Sequence, residues 1–292
     1  MIEAAMQKDL VEQLSKKLGK NVAVTGYSEV GGGCINHGGK LSTTAGDFFL
    51  KWNSNSAYPG MFEAEAKGLE LLDGREIKVP ELMGQGSWAD KAWLLLEWLE
   101  AGRRQKDFWE NFGRALAALH RNTNATFGLN HDNYIGSLPQ SNKAESKWSD
   151  FFMRQRLLPQ IELAQQKALL PASMEKDFEQ LFKRLPDIFP EEKPALLHGD
   201  LWSGNFITGP DGQAAIIDPA VYYGNREMDL AMSRLFGGFD EAFYTAYHES
   251  FPLMSGYRER VDICNLYPLM VHINLFGVTY LSGVSKILKA FA

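Results

Sequence analysis

The stretch that decides the fold is LLHGDLWSGNFITGPDGQAAIIDPAVYYG, residues 196–224. Three polar residues, Asp200, Asn205 and Asp218, stand in it among apolar residues of the kind that build a core. Asp200 precedes Asn205 by five residues, and Asp218 ends the segment AAIID, which a GPDG turn separates from NFIT. The two segments predict a tight β-hairpin, so the three polar side chains should project from its ends.

The spacing of these three residues is typical of phosphoryl transfer. That reaction needs a carboxylate to receive the proton of the attacking hydroxyl and oxygen ligands for Mg²⁺, and protein kinases arrange them as Asp-x-x-x-x-Asn followed by a second aspartate. We therefore predict Asp200 as the catalytic base, with Asn205 and Asp218 as Mg²⁺ ligands. The alternative, in which His198 and Asp200 cap a turn and Asp218 closes a strand, explains each residue but not their common spacing.

A site of this type also needs a lysine for the nucleotide phosphates and an acidic residue that orients it. Lys51 lies in FFLKW, a predicted third strand, and Glu65 lies in PGMFEAEAKGLELLDG, a predicted helix. We predict that these two form the phosphate anchor. Glu63 is the rival acidic residue, and the register relative to Leu69 favours Glu65. A solvent-facing Lys51 is the other alternative, but its apolar neighbours argue against an exposed strand.

Two further segments are candidates for contacts with ATP. The loop EVGGGCIN lies between two predicted strands, and its glycines would let backbone N–H groups approach phosphate oxygens, although glycine in a hairpin turn is the common explanation. The segment LLLEWLE ends a predicted strand where two lobes should meet, and its main chain would bind adenine. The predicted contacts are Gly31, Gly32, Gly33, Glu97, Trp98 and Leu99.

The order of the elements predicts an α+β protein with a protein-kinase-like two-lobe fold. Residues 1–98 should form a small antiparallel β-rich N-lobe with one inserted helix, because short β-branched and aromatic runs alternate there with turn signals. Residues 99–292 should form a larger, mainly α-helical C-lobe. Between Phe127 and Asn142, the Gly and Asn content predicts a surface loop able to cover the acceptor.

The composition excludes several classes of protein. Of the 292 residues 45% are hydrophobic, and the net charge of −6 with scattered basic residues argues against nucleic-acid binding. The N-terminus lacks the pattern of a signal peptide, and the apolar run near the C-terminus is interrupted by Pro268, which predicts a buried helix and no membrane span. Two distant cysteines, Cys34 and Cys264, suit a cytoplasmic protein without a disulfide framework.

Six segments taken together closely resemble the fructosamine kinase family: LLHGDLWSGN, IDPAVYYGNREMDLAM, LFGGF, FGLNHDNYIGSLPQ, MFEAEAKGLELL and FFMRQRL. The resemblance runs almost from end to end. It implies ATP- and Mg²⁺-dependent phosphorylation of the 3-hydroxyl of ketosamines, namely fructosamines and ribulosamines. In that family the 3-phosphate is unstable and decomposes, which releases the amine. Trp202 would then line the sugar pocket, although packing under the catalytic loop is the alternative.

The resemblance has one further implication and leaves rival functions open. Some family members have a cysteine in the glycine loop, linked there with redox-sensitive dimers, so Cys34 is a candidate redox site and a homodimer a candidate assembly; a small residue filling the hairpin is the alternative. A kinase of an aminoglycoside- or choline-like hydroxyl compound is the nearest rival function. An inactive nucleotide-binding scaffold is the other, but the lysine, the base and the metal ligands are all present.

Overall fold

The structure is a computed structural model that describes residues 4–30 and 36–291. These residues form two compact units. The first comprises the chain up to residue 105 together with 207–217, and the second comprises 106–206 together with 218–292. The boundary therefore differs from the 98/99 boundary that the sequence predicts, and a short segment of the predicted C-lobe groups with the first unit.

The first unit contains a five-stranded antiparallel sheet with one helix before it and one inserted into it. Side chains of the first helix, Leu10 and Leu14, pack with Leu50, Trp93 and Leu95 of the sheet in one apolar cluster. The strand order is β1-β2-β3-β5-β4, and the elements are α1 (Ala4–Leu18), β1 (Val24–Glu29), β2 (His37–Thr43), β3 (Gly46–Ser54), α2 (Met61–Leu72), β4 (Leu82–Trp88) and β5 (Lys91–Glu97).

Helices dominate the remainder of the chain, as predicted. Their core joins α6, α9 and α10 through residues such as Phe178, Met270 and Val284. The elements are α3 (Phe108–His120), β6 (Asn133–Ile135), β7 (Leu138–Gln140), α4 (Trp148–Phe151), a π-helical turn (Phe152–Leu157), α5 (Leu158–Gln166), α6 (Ser173–Ile188), β8 (Ala195–Leu197), β9 (Phe206–Thr208), β10 (Ala214–Ile216), β11 (Tyr222–Gly224), α7 (Glu227–Leu235), α8 (Glu241–Ser250), α9 (Tyr257–Phe276), a 3₁₀ turn (Val278–Tyr280) and α10 (Leu281–Phe291).

The predicted hairpin around the GPDG turn is confirmed, with β9 and β10 as its strands. Main-chain hydrogen bonds explain why residues 207–217 and the segment after β5 group with the first unit. The Gly102 N–H donates to the Thr208 carbonyl at 2.9 Å, and the Ile216 N–H donates to the Lys78 carbonyl at 2.9 Å. These contacts join segments that are distant in sequence. The composition of the segments between them gives no sign of such contacts.

The segment Phe127–Asn142 differs from the predicted surface loop. It contains the antiparallel pair of β6 and β7, and its ends are buried, with Phe127 4% exposed and Asn142 fully buried. Asn142 is held in place because Arg156 donates to its side-chain oxygen at 2.8 Å. The amide side chains that suggested a surface loop are thus partners in a buried polar network.

The first part of the apolar C-terminal run, up to Phe276, lies in α9 and confirms the predicted buried helix, whereas the rest of the run leaves this helix and forms the 3₁₀ turn Val278–Tyr280 and the start of α10. Residues on every side of this helix are buried, including Ile263, Leu266, Met270 and Ile273. Pro268 lies inside the helix without ending it. No helix in the described part of the chain combines the length and apolarity required to cross a membrane.

Candidate active site

The loop between β8 and β9 carries Asp200 and Asn205 and brings their side chains together. Asn205 Nδ2 donates to Asp200 Oδ2 at 2.8 Å and to the Asp200 carbonyl at 2.8 Å. Both donors of one amide are therefore directed at a single residue, which holds the Asp200 carboxylate in a defined orientation. The amide oxygen of Asn205 remains as the atom that could coordinate a cation.

Asp229 in α7 binds the main chain at the start of the loop between β8 and β9. Its Oδ2 accepts from the His198 N–H at 2.8 Å, and its Oδ1 accepts from the Gly199 N–H at 2.9 Å. His120 Nε2 lies 3.1 Å from Oδ2, and His120 Nδ1 lies 2.8 Å from the Tyr247 hydroxyl oxygen. Burial raises the pKa of Asp229, but the hydrogen bond with His120, the electrostatic interactions with His120 and His198 and the hydrogen bond from the Gly199 N–H outweigh it and hold the pKa below its ordinary value.

Gly199 joins the catalytic loop to the segment that follows Asp218. Its φ of 84° is in the left-handed region, and a Cβ at this position would lie 2.0 Å from the Ala220 carbonyl oxygen. The same two segments are linked because the Ala220 N–H donates to the His198 carbonyl at 2.9 Å. The close approach requires glycine and places the chain of Asp218 beside that of Asp200.

Asp218 itself is exposed and has a φ of 53°, which is unusual for a residue other than glycine. The chain just after it is held by two buried amides. Gln140 Nε2 donates to the Ala220 carbonyl at 3.2 Å, and Asn133 Nδ2 donates to the Val221 carbonyl at 2.8 Å. The left-handed conformation of Asp218 is therefore supported by the hairpin of β6 and β7.

The environment of Asp200 gives its carboxyl group the proton affinity of a general base. The pKa of Asp200 is raised to about 7, chiefly by burial; the hydrogen bond from Asn205 opposes this shift, and the charges of Asp218 and Asp229 add to it. A group whose pKa lies near neutral pH combines a substantial deprotonated fraction with useful basicity. A cation bound beside it would lower this pKa.

The donor atoms at this end of the hairpin suit Mg²⁺. A carboxylate, that of Asp218, and an amide oxygen, that of Asn205, are hard ligands, and Mg²⁺ typically takes few of them from the protein and keeps water and phosphate oxygens. Among the described residues there is no group of three or more His, Cys, Asp and Glu side chains arranged for a metal. The set therefore fits a cation that arrives with a nucleotide better than a structural metal.

The pairing of Lys51 with Glu65 that the sequence predicts is present within the first unit. Lys51 Nζ donates to Glu65 Oε1 at 2.8 Å and to Oε2 at 2.9 Å, and the Lys51 residue is only 5% exposed. The rival, Glu63, is exposed on the other side of α2. A lysine whose charge is buried and paired in this way is oriented by the protein rather than by water.

The other predicted nucleotide contacts are described only in part. The Glu97 N–H donates to the Glu81 carbonyl at 2.8 Å, so this N–H is occupied within the protein, and the main chains of Trp98 and Leu99 follow the end of β5. The predicted positions in the glycine loop lie outside the described residues; they are Gly31, Gly32, Gly33 and Cys34.

Trp202 lies in the loop between β8 and β9, between the predicted base Asp200 and Asn205. It is 37% exposed, and its indole ring lies over Gly204, where a Cβ would come within 2.2 Å of the ring. Its carbonyl accepts from the Asn205 N–H at 2.9 Å. The indole ring of Trp202 is thus exposed beside Gly204 and is not buried under the loop.

Sequence reasoning missed the residues that support the site. Four buried residues hold the segments that carry Asp200 and Asp218. Three of them contact the main chain of these segments, namely Asp229, Gln140 and Asn133, and the fourth, His120, contacts Asp229. One signal was present: REMDLAM places Asp229 in a helix among apolar residues, where an aspartate needs buried partners. The amides had no such signal, because Gln and Asn between Gly and Pro are typical of surface turns.

Comparisons with known proteins agree with this geometry. The chain is 42% identical to a "probable ketoamine kinase" of Synechocystis, with 96% of this chain and 95% of the relative covered. It is 38% identical to the chloroplastic protein-ribulosamine 3-kinase of Arabidopsis thaliana, with 99% and 89% covered. A crystal structure from Thermobifida fusca, of a protein named fructosamine-3-kinase, matches with a TM-score of 0.86 at 34% identity over 96% of this chain and 97% of that one.

The fold extends to more distant kinases. A ternary complex of aminoglycoside phosphotransferase APH(4)-Ia with AMP-PNP and hygromycin B matches with a TM-score of 0.62 at 15% identity, over 97% of this chain and 99% of that one. At this identity the likeness concerns the fold alone, which is the protein-kinase-like α+β fold predicted from the sequence. Residues 6–292 match the fructosamine kinase family itself. The chain belongs to the fructosamine kinase family and is a phosphotransferase.

Proposed function

We propose that this enzyme transfers the γ-phosphoryl group of ATP to the 3-hydroxyl of ketosamines, that is, of fructosamines or ribulosamines. The observation that carries the proposal is the Asp200 carboxylate, which Asn205 orients and whose pKa lies near neutral, in a chain of the fructosamine kinase family. The 3-phosphate product of such a reaction decomposes and frees the amine, so the enzyme would promote deglycation.

In the proposed reaction Asp200 accepts the proton of the acceptor hydroxyl while that oxygen attacks the γ-phosphorus. The bond from the γ-phosphorus to the bridging oxygen breaks, and ADP leaves. Mg²⁺, bound with the nucleotide, would neutralise charge between the phosphates, with Asn205 and Asp218 as its protein ligands. Asp229 keeps the loop of Asp200 in place but has no contact with the reacting atoms.

The nucleotide contacts follow from the same proposal. Lys51, held by Glu65, would bind phosphate oxygens, and the glycines at positions 31–33 would cover the phosphates. Adenine would contact the main chain of Trp98 and Leu99. Trp202 would line the sugar pocket, because its ring is exposed only two residues from Asp200.

The test is mass spectrometry of a peptide that carries one ribulosyl- or fructosyl-lysine, after incubation with the enzyme, ATP and Mg²⁺. We expect the mass of one phosphoryl group on the sugar, followed by recovery of unmodified lysine. The same peptide without the sugar is the control, since its lysine lacks the acceptor hydroxyl. Phosphorylation of an aminoglycoside or choline, with no reaction of either ketosamine, would overturn the substrate assignment.

A further inference from the structure

Large apolar side chains are exposed beside the catalytic loop. Among the described residues seven such side chains are exposed, and four of them are Trp202, Phe236, Phe276 and Val278. Single exposed apolar residues are common on protein surfaces, whereas a contiguous group marks a binding surface. The question is therefore whether these four are contiguous.

Ring contacts connect three of the four, Trp202, Phe236 and Phe276, through His272. Trp202 packs edge-on against Phe236 with 6.2 Å between centroids, and Phe236 lies 4.8 Å from His272. His272 in turn lies 5.4 Å from Phe276 and 4.9 Å from Tyr280. We call these five residues the aromatic strip. All of them belong to the second unit, and the strip begins on the loop that carries Asp200.

The motif LFGGF, residues 235–239, builds the first half of the strip. Gly237 and Gly238 have φ values of 70° and 92° and turn the chain sharply after α7. A Cβ at Gly238 would lie 2.6 Å from the Ser203 Cβ, so this turn passes directly against the catalytic loop. Phe239 enters the ring cluster of α3 and α8, while Phe236 stays exposed beside Trp202.

His272, at the centre of the strip, lies in an environment that favours its neutral form. Its Nδ1–H donates to the Pro268 carbonyl at 2.7 Å, and burial lowers the pKa of His272 below its ordinary value. The neutral tautomer that donates from Nδ1 presents Nε2 as an acceptor. The strip thus has aromatic faces and one neutral acceptor, and this suits an apolar group better than an anionic one.

We propose that the aromatic strip binds the substituent on the amine nitrogen of the ketosamine and selects for apolar, above all aromatic, substituents. This inference rests on the proposed function. In a ketosamine the nitrogen is attached to C1, two carbons from C3, so a substrate whose 3-hydroxyl contacts Asp200 starts its substituent near Trp202. A protonated secondary amine is also favoured near aromatic faces.

The test compares two synthetic substrates, the fructosamine of phenethylamine and the fructosamine of methylamine. They share the sugar and the charged nitrogen and differ only in the apolar group. Burial of half a phenyl ring in the strip predicts a kcat/KM about tenfold higher for the phenethyl compound. Equal kcat/KM values for the two compounds would overturn the inference and leave the proposed function intact.

Two variants locate the effect in the strip. Phe236→Ala and Phe276→Ala should each reduce the ratio of the two kcat/KM values several-fold. Trp88→Ala is the matched control, because Trp88 is an exposed aromatic residue at the end of β4 in the first unit, and it should leave the ratio as in the wild type. Thermal unfolding midpoints check that the variants are folded.

The possible outcomes distinguish a failure of the role proposed for the aromatic strip from a failure of the proposed kinase activity on ketosamines. A ratio that both strip variants leave unchanged, or that Trp88→Ala changes equally, contradicts the inference alone. If neither fructosamine nor the corresponding ribulosamines are phosphorylated while another hydroxyl compound is, the proposed function fails, and the inference fails with it.

Discussion

Gly199 and Asp229, which are thirty residues apart, are joined by a hydrogen bond of 2.9 Å from the Gly199 N–H to Asp229 Oδ1. The neighbouring N–H of His198 donates to the other oxygen of the same carboxylate. The main chain just before the predicted base therefore depends on one buried charge in α7. Replacing this carboxylate would leave two buried N–H groups without a charged acceptor. The cost in folding free energy is larger than the contribution of a solvent-exposed hydrogen bond, because a buried donor cannot bind water instead.

The first prediction is that Asp229→Asn destabilises the protein by about 3 kcal/mol and lowers kcat, because the loop of Asp200 loses its anchor. Urea unfolding and steady-state kinetics measure the two effects. Asp187→Asn, at an exposed position in α6, is the matched control and should change neither. A variant as stable as the wild type would show that Asp229 does not anchor the loop.

The stabilisation by Asp229 should also depend on pH in a defined direction. The folded-state pKa of Asp229 lies below its ordinary value, so its contribution is complete above the unfolded value of about 3.9 and is lost as the pH falls through the lower folded value. Measured in an Asp200→Asn background, which removes the titration of the Asp200 carboxyl that the Asp229 charge also shifts, the difference in unfolding free energy between Asp229 and Asp229→Asn should be constant from about pH 7 to pH 5 and shrink below about pH 4. A difference that grows on acidification would contradict this sign.

The second prediction concerns the base. Asp200→Asn keeps the shape of the side chain but removes the proton acceptor, so kcat should fall by about 10² to 10⁴, while binding of Mg²⁺-ATP stays near the wild-type value. ATP consumption with a ketosamine and nucleotide titration calorimetry provide the two measurements. The control is Asp211→Asn in the exposed turn of the same hairpin. Unchanged turnover would exclude Asp200 as the base.

The third prediction concerns the metal. Asp218→Asn removes the only negative charge among the two proposed ligands, so the Mg²⁺ concentration for half-maximal activity should rise by about tenfold or more. Mg²⁺ titrations of activity at saturating ATP measure this change. An effect on kcat with no change in the Mg²⁺ requirement, as expected for Asp200→Asn, would contradict the division of roles.

The fourth prediction uses two identical substitutions on one helix. Glu65→Gln breaks the buried pair with Lys51 and should cost about 3 kcal/mol of stability and raise the KM for ATP. Glu63→Gln, at an exposed position of α2, should stay within about 0.5 kcal/mol of the wild type. Equal effects of the two substitutions on the KM for ATP would mean that Lys51 does not act through Glu65.

The fifth prediction concerns thiol chemistry. Cys264 is fully buried, and burial raises the pKa of its thiol well above the ordinary value, so it should not react in the folded protein. Any fast labelling by a thiol reagent is therefore expected at Cys34, the other cysteine of the chain, and should be absent in Cys34→Ala. Persistent fast labelling of that variant would show that Cys264 is accessible. Protection of the wild type by Mg²⁺-ATP, and disulfide-linked homodimers after diamide treatment, would support the redox role of Cys34.

The sequence predicted well what depends on local patterns. The hairpin of β9 and β10 follows from its turn residues, and the pairing of Lys51 with Glu65 follows from the register of one strand and one helix. The hairpin of β6 and β7 was missed, because its amides become buried only through distant partners such as Arg156. Contacts of this kind, between segments far apart in the chain, leave no periodic signal in either segment.

The membership of residues 207–217 in the first unit has a consequence for synthesis. The first unit lacks two of its strands until the chain has been made as far as residue 217, by which time more than half of the second unit has also been made. Folding from the N-terminus therefore cannot finish one unit before the other begins. A fragment that stops at residue 105 should contain all five strands of the sheet but lack the hairpin of β9 and β10, so the Gly102 N–H and the Lys78 carbonyl would be without their partners.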